Sequence, residues 1–213
     1  MHREKLCLPG TVFAVGDIAK EGGHAFFKKV FYVSDHIMLS HLREITGLDA
    51  MALQNWVKRK WVPNPNKKYY SREHLARFLI INMLRETLQI SRILYLLRYL
   101  NGTEPGDTVI SEVDLYDYVC RCFGALVADG DPAIGTLDKV IEEVLADYEE
   151  PVGGAKRRLT TTLSIMVSAC CSAYVKARAD AMLDALGAPP DRQTARHGKN
   201  RKEIGRASCR ERV

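Results

Sequence analysis

In this 213-residue chain, the side chains placed to recognise a ligand are amides and cations. Over residues 50–59, a short helix with Leu53, Trp56 and Val57 turned inward leaves Met51, Gln54, Asn55, Lys58 and Arg59 outward. Carboxamides pair with adenine edges, and Lys or Arg with guanine or phosphate. Such a face suits the major groove of a duplex, roughly 12 Å wide. Residues 56–72 also carry six cations (Lys58, Arg59, Lys60, Lys67, Lys68 and Arg72) and no acid. Residues 104–150, by contrast, hold thirteen Asp/Glu against only Arg121 and Lys139. This asymmetry fits one part that meets a polyanion and another that is a solvated or contact-making body.

Other chemistries find less support. No nucleophile-elbow pattern GxSxG occurs, and no phosphate loop GxxxxGK followed by Ser or Thr, so an enzyme is not expected. His24, His36, His41, His74 and His197 are scattered without ligand spacing. The six cysteines, Cys7, Cys120, Cys122, Cys170, Cys171 and Cys209, lack CxxC or Cys/His zinc spacing and read as small core thiols. No metal or cofactor is expected. The longest uncharged stretch, 159–175, carries three threonines and three serines and reads as a buried helix rather than a membrane span. No basic-then-apolar leader opens the chain, so a soluble, cytoplasmic protein is expected.

The elements that would position the outward amides are set by apolar spacing. Leu39, Leu42, Ile45 and Thr46 share one side of a helix with Ser40 as its expected N-cap. Gly47 can take the left-handed conformation that ends a helix, and Asp49 can cap the next one. Helix, three-residue turn and helix together make the spacing of a helix-turn-helix. In residues 61–70, Pro63 and Pro65 forbid a continuing helix, while Tyr69 and Tyr70 favour extended backbone. Lys67 and Lys68 then fall where a wing would lie along the phosphates.

Ser71 is the expected cap of a third helix carrying Leu75, Phe78, Leu79, Asn82 and Met83. After a break near 87–89, a fourth carries Ile90, Ile93, Leu94, Leu97 and Leu100 and closes at Asn101-Gly102. Three more helices are expected downstream. The last has Leu159, Leu163, Met166, Cys170, Ala173 and Ala177 at alternating spacings of four and three, a seam for a buried central helix or an inter-subunit contact.

On these residues the sequence resembles a known family. The segments LSHLREITGLD, ALQNWVKRKWVP, KKYYSREHL and FLIINMLRETLQISRIL, within residues 39–100, resemble the winged helix-turn-helix of the MerR superfamily. The phrase KKYYSREHLARFLIINML is closer still to a bacterial domain-of-unknown-function family, number 1836, over about residues 32–123. The resemblance implies a dimeric DNA-binding regulator. It places Gln54 where MerR proteins commonly carry a DNA-contacting Arg, Trp56 at an aromatic position, and Lys68 at the wing Arg ahead of Tyr70. Two departures bear on groove geometry: Arg43 stands at a position usually small, and Lys60 replaces a glycine before the hydrophobic-Pro step.

The expected architecture is therefore mainly α, a MerR-like winged helix-turn-helix followed by a carboxyl-terminal helical bundle. Residues 1–33 form an amino-terminal segment whose Phe26, Phe27, Phe31 and Tyr32 dock on the adjoining domain. Residues 34–102 form the DNA-binding domain, 103–190 a dimerisation or effector region, and 191–213 a disordered tail. Residues 203–213, EIGRASCRERV, resemble the translation of a sequencing adapter, so the native carboxyl end is expected to be missing and the biological charge nearer +4 than +5.

The expected function is transcription regulation by binding double-stranded DNA as a homodimer, with Met51, Gln54, Asn55, Lys58, Arg59, Lys67, Lys68, Tyr70 and Arg72 in contact. The competing expectations are a helical protein-interaction module without DNA binding, and an excisionase-like accessory that bends DNA.

Overall fold

The computed structural model describes residues 7–13, 18–102, 106–128 and 132–187. The expected tail and its adapter-like end lie outside the described residues. Eight α-helices occur among them: α1 (Ile18–Val30), α2 (Leu39–Thr46), α3 (Ala50–Lys58), α4 (Arg72–Leu84), α5 (Ile90–Asn101), α6 (Glu112–Leu126), α7 (Leu137–Val144) and α8 (Ala155–Ala185). A short 3-10 turn, Ile134–Thr136, precedes α7. The protein is mainly helical, as the periodicity implies, and no described helix is long and apolar enough to cross a membrane.

Helix α4 explains the layout. Leu75, Ala76, Phe78, Leu79, Ile80, Ile81, Met83 and Leu84 are all buried, so it is apolar nearly all round and must be surrounded. It packs against α2, α5, α6 and α8, while α6 in turn touches α1, α7 and α8. One continuous apolar cluster runs from Leu8 to Cys171 and joins α2 and α3 to the later helices.

Helix α1 owes its place to two glycines. Gly22 has φ of 76°, which kinks the helix, and a Cβ on Gly23 would lie 2.9 Å from Asp117 Cα. This close approach lets the backbone N–H of His24 donate to the buried Asp117 carboxylate at 2.8 Å, and His24 Nε2 lies 3.0 Å from Asp114. Phe26, Phe27 and Phe31 dock as expected, with Phe27 edge-on to Tyr116 at 5.7 Å. Tyr32 does not: it is 83% exposed, because the helix has ended at Val30 and the chain has turned away from the core.

Polar side chains tie the loops to this core. Asn82 donates to the carbonyls of Gly10 and Thr46, Asn101 bonds Val109 and Ile110, and Arg158 grips Asp107. The Asp107 carboxyl is held below its ordinary range by that guanidinium. Cys120, Cys122, Cys170 and Cys171 are buried, and burial pushes the Cys122 and Cys170 thiols up to about 12. At neutral pH they are protonated packing groups, consistent with core thiols.

The early part of α8 is buried in its own chain through Leu159, Leu163, Met166 and Cys170. That settles the alternative for the first half of the seam: it is a buried central helix. The later half emerges, leaving Val175, Met182 and Leu186 exposed.

A candidate nucleic-acid interface

The helix pair forms by the expected capping chemistry, with one correction. Met38, not Ser40, caps α2; its backbone N–H donates to His41 Nδ1 at 3.3 Å, and Ser40 lies inside the helix. The cap moves upstream because Ile37 is pinned by backbone bonds to Tyr70, which leaves Met38 as the last extended residue, at φ of −95° and ψ of 168°. Gly47 ends α2 with φ of 70°, and the Asp49 carboxylate accepts from Ala52 N–H at 2.7 Å to start α3.

Helix α3 is fixed by one face. Leu53 is fully buried, and Trp56 stacks on Phe78 of α4 at 5.9 Å, with the Arg85 guanidinium 5.8 Å over its ring. The end of α3 is a Schellman motif: Lys60 N–H bonds Val57 O, Trp61 N–H bonds Trp56 O, and the two indoles meet at 6.4 Å. That motif needs a left-handed residue, and Lys60 supplies it at φ of 59° in place of the glycine. Arg43 is exposed on α2, while Leu42, Ile45 and Thr46 make the buried face, so the arginine does not wedge the two helices apart.

The outward face of α3 is as the spacing predicts. Met51 is 73% exposed, and Gln54, Asn55, Lys58 and Arg59 are exposed, with Arg59 lying over the Trp61 ring at 5.2 Å.

The segment after α3 differs from the expected wing. Among the described residues there is no strand; this segment makes two isolated bridges, Asn66 with Tyr69 and Ile37 with Tyr70. Pro63 and Pro65 lack the N–H groups a ladder needs, so pairing shrinks to a tight turn. Lys67 and Lys68 occupy the two central positions at φ of 47° and 76°, and Tyr69 N–H bonds Asn66 O at 2.8 Å. Positive φ at both central residues is the requirement of a type I′ turn, normally met by Asn-Gly. His74 braces the turn: its ring nitrogens lie 3.3 Å from Asn64 O and 3.1 Å from Ser71 N. A depression of about 160 Å³ behind it is lined by Pro63, Glu73, His74, Arg77 and Glu112. There Arg77 clasps Glu112 with Nε at 2.7 Å, yet burial still raises the Glu112 carboxyl above its usual range.

The nine candidate residues thus divide. Met51, Gln54, Asn55, Lys58 and Arg59 share α3 and its end; Lys67 and Lys68 tip the turn; Arg72 is exposed at the start of α4, 5.5 Å over Phe31 and 4.0 Å from Asp35. Tyr70 is corrected: it is 5% exposed, set against Phe78 and His74, and belongs to the core. The outward tyrosine is Tyr69, which meets His36 at 4.4 Å; strand alternation predicts one inward and one outward tyrosine without saying which. None of the ion pairs among the described residues engages Lys58, Lys67 or Lys68. No cluster of His, Cys, Asp or Glu with metal-binding geometry occurs among the described residues.

A family model described as "Domain of unknown function (DUF1836)" matches residues 26–119, less than half of the chain. The matched segment takes in the end of α1, the α2–α3 pair, the lysine turn, α4, α5 and about half of α6. Neither a curated protein nor a solved structure gives a significant match to the chain.

Proposed function

We propose that this protein is a DNA-binding regulator that sets α3 in the major groove and lays the 63–70 turn along the flanking backbone, as a MerR-like winged helix-turn-helix with its wing reduced to a tight turn. The observation that carries this reading is the pairing of an exposed amide-and-lysine face on α3 with an exposed two-lysine turn, neither covered by a described acid. Amides give base readout, and the lysines give sequence-independent affinity and register.

The regulator is a homodimer that meets DNA in the cytoplasm. The exposed Val175, Ala179, Met182 and Leu186 repeat at spacings of four, three and four along late α8 and its C-cap, which suits packing against the same helix of a second copy. Light scattering should read a mass of two chains; a monomer at tens of micromolar would contradict this part.

Selection from random duplex pools tests the readout. The full chain should enrich one motif, and Gln54→Ala with Asn55→Ala should erase enrichment at one or two adjacent positions, each worth roughly 1–3 kcal/mol. Failure to enrich any duplex would count against the reading and favour a helical protein-interaction module.

A further inference from the structure

Five residues after α1 present side chains that the core does not use. Tyr32 is 83% exposed and Val33 92%, an adjacent pair of large apolar groups in water. Single exposed apolar residues are ordinary, but these two are adjacent in the chain. The two backbone bonds between Ile37 and Tyr70, both 2.9 Å, hold the 32–36 segment beside the base of the lysine turn. His36 reaches the exposed Tyr69 at 4.4 Å, and Arg72 bridges from Phe31 to Asp35. Cations stand on both sides: Lys28 in the last turn of α1, and Lys67, Lys68 and Arg72 across the bridge. Two acids are near. Asp35 is almost fully exposed beside Arg72, and Glu73 is tied to the Ser71 hydroxyl at 2.7 Å. Among the described residues, four cations against two acids leave a basic rim around an apolar and aromatic centre.

We infer that Tyr32, Val33, His36 and Tyr69 form a second contact limb for duplex DNA, in which the basic rim holds phosphates and the exposed side chains lie against sugar edges and bases. The limb rests on the DNA reading above and adds a non-ionic share of affinity to it. Apolar and aromatic groups set among cations serve that purpose in proteins that press side chains into a groove. Such contacts release no counterions, so they change affinity without changing its dependence on salt.

The test measures fluorescence anisotropy of a labelled duplex across a salt series, with the full chain and with Tyr32→Ala/Val33→Ala. Both side chains are exposed, so the melting temperature should be unchanged. Affinity should fall by roughly tenfold while the slope of log K against log salt stays fixed. A second variant, Asp35→Asn, should raise affinity by removing an acid from the rim. Unchanged affinity in the double variant, or a loss accompanied by a flatter slope, would overturn the limb while leaving the α3 reading intact. A loss of dimer in light scattering would assign the pair to self-association and overturn it as well. If the unmodified chain binds no duplex, the DNA reading falls and the limb falls with it.

Discussion

Replacing Lys67 and Lys68 with Asn and Gly should raise the melting temperature and weaken duplex binding at the same time. Both lysines hold a left-handed backbone, at φ of 47° and 76°. For a side chain with a Cβ, that conformation costs roughly 1–2 kcal/mol per residue. Asn-Gly is the pair that a type I′ turn accepts most readily, though glycine returns part of the gain through a more flexible unfolded chain. The net effect expected is about 1–2 kcal/mol of stability, or roughly 2–5 °C for a chain of this size. Binding should move the other way. Loss of two phosphate contacts flattens the salt slope by about 1.8 and lowers affinity by one to two orders of magnitude, roughly, near physiological salt. Strain retained where a better turn sequence exists is a sign of selection for something other than stability. Differential scanning fluorimetry and anisotropy on the same samples check both halves. A lower melting temperature, or unaltered binding, would remove the link between strained lysines and function.

The same logic extends to Lys60, which also takes a positive φ, at the end of α3. There the Schellman bonds and the Trp56–Trp61 contact hold the conformation in place. Three lysines in left-handed positions, all between α3 and α4, put positive charge on the tightest curves of the segment closest to the proposed duplex.

Much of this was legible in the sequence because it is local. Gly47 and Asp49 announce the end of one helix and the start of the next from their own backbone preferences. Leu53 and Trp56 at helical spacing fix which face of α3 is inward, and so which amides and cations are outward.

The features that were not legible depend on partners distant in sequence. The kink of α1 at Gly22 makes sense only beside Asp117, and the exposure of Tyr32 only once α1 is placed on α6. Choosing between Tyr69 and Tyr70 requires the bridge from Tyr70 to Ile37, since a register shift of one residue exchanges the two faces. The absence of strands in the turn was open to inference from Pro63 and Pro65, but the resemblance to a winged fold pointed the other way. Late α8 carries its own lesson. The seam ending at Ala177 is intramolecular where its large residues lie, and a different stripe, from Val175 onward, is the one left in water.

An embrace of a duplex by α3 and the lysine turn would show first in the salt dependence of binding. Lys58, Lys67 and Lys68 are exposed and engaged by no ion pair among the described residues, so converting all three to Gln should leave the fold intact. The unmodified chain should bind duplex DNA with log K falling linearly against log salt. The triple variant should bind roughly 10²-fold more weakly near 0.15 M salt, with a slope shallower by about 2.7. Affinity that ignores salt, a triple variant that matches the unmodified chain, or no binding below about 10⁻⁴ M would rule out duplex binding by α3 and the lysine turn.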